Sequence, residues 1–106
     1  MARKQLQTLT EPMYYILLSV LEPLHGYAIM QRIEQMTQGR VAVGPGTLYS
    51  LISRFEKEGI VHRVPSEEGK KVYVISKFGR DILNEEWERL KSMLSDGEAL
   101  IGEEQE

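Results

Sequence analysis

The chain has 106 residues, 42% of them hydrophobic and 27% charged, which bounds it to one globular domain with a modest core. It has no cysteine, so disulfides, thiolate nucleophiles and cysteine zinc sites are excluded. The longest apolar run, YYILLSVL, falls short of the ~18 residues of a membrane span and no cleavable signal pattern precedes it, so a cytoplasmic protein is expected. The net charge of −3 hides an asymmetry. Residues 1–80 hold 11 Lys and Arg against 7 Asp and Glu, a balance of +4, whereas residues 81–106 hold 2 against 9, a balance of −7. A mildly basic body with an acidic tail suits nucleic-acid binding by the body alone, and equally a solvated acidic end.

A polar arm is expected over residues 1–9, carrying Arg3 and Lys4. Thr10 then caps a helix with Glu11 and Pro12 in its first turn, running to about Leu21, with Met13, Ile16, Leu17, Val20 and Leu21 as its buried stripe. Pro23 stops it. A second helix covers about Gly26 to Gln38 with Ile29, Met30, Ile33 and Met36 on one face and Gly39 as its stop. The third, from Pro45 to Gly59, buries Leu48, Leu51, Ile52 and Phe55 at i, i+3, i+4 and i+7. The period then changes. IVHRVP and KKVYVIS read as a hairpin about the turn SEEG, with Val72, Val74 and Ile60 turned toward the helices. Ser76 caps a last helix over about Lys77 to Ser95, with an extension beyond Asp96-Gly97. The fold class is mainly α with a small β-hairpin, a winged helix-turn-helix over residues 1–76 followed by a long C-terminal helix and acidic tail over 77–106.

The third helix carries the functional expectation. At 100° per residue its apolar set lies opposite Ser50, Ser53, Arg54 and Lys57, with Thr47 and Tyr49 flanking. Short side chains let a helix approach base edges in the major groove, hydroxyls can donate or accept there, and Arg can fork onto guanine O6 and N7. The same face would also suit a solvated surface helix with two basic residues. Beside it, Lys70 and Lys71 follow the SEEG turn and Arg63 stands on the partner strand, forming an expected basic tip for backbone or minor-groove contact. Glu67 and Glu68 weaken that field.

The stretches LTEPMYYILLSVLEPLHGYAIMQRIE, GRVAVGPGTLYSLISRFEKEGIV and KKVYVISKFGRDIL resemble the PadR-like family of bacterial transcriptional regulators over roughly residues 9–95. The resemblance implies a winged-helix DNA-binding domain with a C-terminal dimerisation helix, usually a repressor released by a small molecule or stress signal. It places Tyr27 and Gln31 of the second helix and Thr47, Tyr49, Ser50 and Arg54 of the third near DNA, with Lys70 and Lys71 on the wing. Phe55 stands where Leu is more usual in the family. The C-terminal part resembles the compact subfamily with one dimerisation helix.

In that last helix Leu83, Trp87, Leu90, Leu94 and Ile101 fall at spacings of 4, 3, 4 and 7, a heptad seam that needs a cover. The first helix could cover part, and a second copy of the chain the rest, as a homodimer on double-stranded DNA. Trp87 is then either an interface anchor or a flat wall for a planar aromatic or cationic ligand, as in compact relatives that sense drugs. Glu85, Glu86 and Glu88 would suit such a cation or form a solvated face. No enzyme is expected: His25 and His62 are the only histidines and stand in different elements, and VGPG lacks the ending of a phosphate-cradling loop. Neither a cofactor nor a metal is implied. The competing class is a winged-helix protein–protein adaptor that binds no DNA.

Overall fold

The structure, a computed structural model, describes residues 8–105. Its elements are α1 (Glu11–Ser19), β1 (Leu24–His25), α2 (Gly26–Thr37), α3 (Pro45–Lys57), β2 (Val61–Val64), β3 (Val72–Ile75) and α4 (Lys77–Gln105). All but the last two residues of the expected N-terminal arm lie outside the described residues, and Leu9 is already buried in the core.

Helix α1 begins where its cap dictates: the Met13 N–H donates to Thr10 Oγ1 at 3.4 Å, and Pro12 occupies the first turn, where its missing N–H costs no hydrogen bond. It ends at Ser19, earlier than the apolar stripe suggests, and Leu21 is exposed rather than buried. The reason is tertiary. The Val20 carbonyl accepts the Ile75 N–H at 2.8 Å, so the chain leaves the helix to meet β3.

Helix α2 also departs from expectation at its end. Ile29 and Ile33 are buried, but the next inward position is Thr37, and Met36 is exposed. Thr37 tolerates burial because its hydroxyl donates to the Ile33 carbonyl at 2.8 Å and accepts the Val41 N–H at 3.1 Å, tying the helix end to the following segment. Gln38 at φ 55° and Gly39 at φ 80° then turn the chain left-handed and end the helix.

The expected two-stranded hairpin is a three-stranded antiparallel sheet of order β1-β3-β2, in which Leu24 pairs with Tyr73 and Arg63 with the same residue from the other side. The face presented to the helices is the opposite of the expected one. Tyr73, Ile75 and Val61 are buried, whereas Val72 and Val74 are only half-buried; Ile60, just before β2, is buried as expected. With VYVI apolar at every position, alternation alone cannot choose a face, and a shift of one residue exchanges them all.

At 29 residues α4 is about 43 Å long and passes unbroken through Asp96-Gly97. Ser76 starts it: its Oγ accepts the Gly79 N–H at 2.9 Å and lies 2.7 Å from the Gly59 carbonyl it can donate to. Gly79 lies so close to the Ile60 carbonyl that a β-carbon there would collide with backbone. Ile82 and Leu83 enter the common core with Ile16, Ile33, Leu48 and Phe55. Leu83 is therefore used by its own chain, and the uncovered part of the seam begins at Trp87.

Candidate nucleic-acid interface

Helix α3 is held by Leu48, Ile52 and Phe55, all buried, with Leu51 half-buried beside them. Thr47, Ser50, Ser53 and Lys57 are consequently exposed along one side. Arg54 is on the edge of that side, with Nε 3.1 Å from Glu58 Oε2 in an i,i+4 ion pair. Gly44 precedes the helix and Pro45 opens it, so its first turn has no side-chain cap and its N–H groups remain available to an acceptor.

Beside α3 lies a cleft of about 480 Å³ lined by His25, Gly26, Tyr27, Tyr49, Lys70 and Lys71. It joins the start of α2, the first half of α3 and the turn end of the hairpin, and so gathers four of the residues singled out from sequence. The same cleft explains Gly26. A β-carbon there would strike the Tyr49 ring and hydroxyl, so only glycine lets the tyrosine lie across the start of α2. His25 is a wall residue that motif reasoning left unassigned. Its Nδ1 accepts the Ala28 N–H at 3.4 Å, an N-cap role, and the signal for it was a histidine directly before a helix-opening glycine. Lys70 Nζ is 3.5 Å from Glu68, so one wing lysine is partly neutralised by its own turn. Tyr27 and Gln31 also share a smaller groove, of about 220 Å³, with Ala42 and Val43 of the α2–α3 connection.

Arg63 does not join the basic tip. It stands directly opposite Tyr73 in the ladder, places its guanidinium 5.8 Å from that ring's centroid, and sets Nη2 3.3 Å from Glu56 Oε1 on α3. Burial raises the Tyr73 hydroxyl above its ordinary pKa; the Arg63 charge opposes the shift, and Glu56 and Tyr49 add to it.

On α4, Trp87 is 49% exposed, and with Tyr14, Leu18, Leu21, Arg80, Leu83 and Asn84 it lines a hollow of about 310 Å³ between α1 and α4. The Lys91 ammonium lies 4.4 Å from its ring centroid, a cation–π contact. Glu86 belongs neither to a solvated face nor to an open acidic one. It is 1% exposed and accepts the Arg89 Nε–H at 3.0 Å. Leu90, Met93, Leu94, Leu100 and Ile101 continue as an exposed apolar stripe.

Three helices, a small sheet whose last two strands form a wing, and a polar exposed side on the third helix define a winged helix-turn-helix domain. Residues 16–85 match the family described as the transcriptional regulator PadR-like family, and the chain belongs to that family, whose members are regulators rather than enzymes. The chain is 28% identical over 67 residues to the transcriptional regulator YqjI of Escherichia coli, covering 63% of this chain and 32% of that protein. It spans a third or less of the length of the curated relatives it matches. Among solved structures, a transcriptional regulator from Clostridium thermocellum is 29% identical with a TM-score of 0.62, covering 78% of this chain and 89% of the other. F93 from STIV, a winged-helix DNA-binding protein, is 22% identical with a TM-score of 0.68, covering 81% and 95%, a likeness of fold. Among the described residues no helix is long and apolar enough to cross a membrane.

Proposed function

We propose that this regulator is a cytoplasmic homodimeric repressor whose two α3 helices enter successive major grooves of an inverted-repeat operator, about one DNA turn or ~34 Å apart. The observation that carries this reading is the exposed polar side of α3 flanked by the cleft that holds Lys70 and Lys71. Ser50, Ser53 and Thr47 are short enough for close approach. Arg54 reaches a base edge by exchanging Glu58 for it, and Lys57, Lys70 and Lys71 neutralise phosphates. Tyr27, Tyr49 and the start of α2 line the path of the backbone, and Gln31 lies one turn further along α2.

The second copy is supported by the apolar stripe from Trp87 to Ile101, in which Trp87 and Leu90 are partly covered by the described chain and Met93, Leu94, Leu100 and Ile101 are mostly exposed. Residues 77–106 act in this reading as the dimerisation helix, as in the compact subfamily. A planar aromatic or cationic ligand would enter beside Trp87 by displacing Lys91 from its ring, and its arrival between the two copies would change the separation of the reading helices and release the DNA.

The test is binding to a duplex recovered from a randomised pool, titrated with salt. The affinity should fall linearly on a log–log scale with a slope of about −0.9 per phosphate neutralised. Arg54→Ala should cost about 1–3 kcal/mol and relax preference at one base position, while Lys57→Ala should weaken all sequences alike. A protein–protein adaptor would show no such slope. Sedimentation that finds only monomer well above micromolar concentration would remove the dimer, and Trp87 fluorescence that no aromatic compound quenches would remove the ligand.

A further inference from the structure

We infer that Glu56, Arg63 and Tyr73 form a strut that fixes the hairpin against α3, so that Lys70 and Lys71 reach the duplex while α3 occupies its groove. The inference rests on the DNA-binding reading above and adds positioning residues to it. Arg63 and Tyr73 are direct partners across the β2–β3 ladder, as are Val61 and Ile75, so all four share one face of the sheet. Val61, Tyr73 and Ile75 are buried, which makes that face the one toward the helices. Arg63 is the outermost member of the set. Its guanidinium is held between the Tyr73 ring and the Glu56 carboxylate of α3. Tyr49 and Glu56 are seven residues apart and so lie on one side of α3, and both act electrostatically on the Tyr73 hydroxyl. Tyr73 thus lies in the field of one side of α3, and Arg63 makes the direct link, touching the Tyr73 ring and the Glu56 carboxylate at once.

The geometry gives this contact leverage. Lys71 precedes Tyr73 by two residues, about 6.6 Å along the strand, so a tilt at Tyr73 carries directly to the wing lysines. An exposed ion pair and a single cation–π contact stabilise a fold only slightly. Their consequence is expected in where the wing stands, and so in DNA binding more than in melting temperature. The arrangement also gives a basic residue next to a polyanion an inward task, in place of the phosphate contact its charge suggests.

Glu56→Gln separates the two readings by sign. If Arg63 touches phosphate and Glu56 merely neutralises part of its charge, removing the carboxylate tightens DNA binding. If the strut operates, Glu56→Gln weakens binding to the recovered duplex by about two- to fivefold. It also lowers the salt slope by about one or two as wing phosphates are lost. Hydroxyl-radical protection should then fade where the wing lies and persist in the two major-groove segments, with an unchanged thermal melt. Arg63→Met keeps the aliphatic stem over Tyr73 and should act alike, and in the Glu56→Gln background it should have little further effect. Tighter or unchanged binding by Glu56→Gln, a uniform loss of protection, or additive effects of the two substitutions would overturn the strut while leaving the DNA reading intact. A wild-type chain that recovers no duplex would overturn both.

Discussion

The two halves of α4 share one backbone and one apolar pattern but have opposite surroundings. From Lys77 to Glu86 the helix is built into the molecule: Gly79 presses on Ile60, Ile82 and Leu83 fill the core, and even Glu86 is buried. From Trp87 onward the stripe continues in sequence, yet Leu94 is 64% and Leu100 68% exposed. Helical periodicity shows that a face is apolar; it does not show what covers it. The first half is covered by its own chain, and the second presents the surface on which assembly is proposed.

The sharpest break in that comparison comes from truncating the buried half. Ile82→Ala should cost about 2–5 kcal/mol in denaturant unfolding, the range for a cavity in a packed core. Gly79→Ala should cost about 1–3 kcal/mol, because the added carbon meets a carbonyl and two isoleucine side chains. Gly97→Ala, the same substitution in the bare half, meets nothing within 4 Å and should instead stabilise by about 0.5–1 kcal/mol through helix propensity. A gain at low concentration that becomes a loss at high concentration would locate a partner helix at Gly97. Loss of stability at every concentration, low ones included, would break the comparison.

Alkaline pH should also act through the buried half. Burial raises the Tyr14 hydroxyl where α1 meets α4, with Tyr15 and Glu86 adding to the shift, and burial raises Tyr73 in the sheet. Both phenols are more firmly protonated folded than unfolded. Their stabilisation is therefore complete below the unfolded value of 10.0 and is lost as pH rises through the folded values. Thermal melts should be level through neutrality on this account and fall above about pH 10. Tyr14→Phe should flatten that decline, and an equally steep decline in the variant would refute the assignment. The smallest effect on the fold is expected at Leu94→Ser, within about 0.5 kcal/mol for a single chain. In a homodimer the same substitution should abolish the dependence of melting temperature on protein concentration.

Much of this fold was legible because local physics specified it. Thr10 and Ser76 cap helices, Pro45 opens one, and Leu48, Ile52 and Phe55 recur at the helical period. The side of α3 left exposed follows from that same period. Other features were not legible. The two-residue β1 is too short to carry a pattern, and it makes sense only as a cover for the β3 edge. Thr37 displaced Met36 from the core because hydrogen bonds to Ile33 and Val41 satisfied its hydroxyl there. Arg63, placed at the tip by its charge, was drawn inward by a tyrosine on the neighbouring strand.

By itself the sequence determined the order of elements, their caps and the polar side of α3, since these depend on residues within a few positions of one another. The tertiary structure alone decided which face of VYVI turns inward, which carboxylate is buried and which lysines share a cleft with Tyr49. Those outcomes depend on which distant backbone groups and rings come into contact, and a one-dimensional pattern of polarity does not contain those distances.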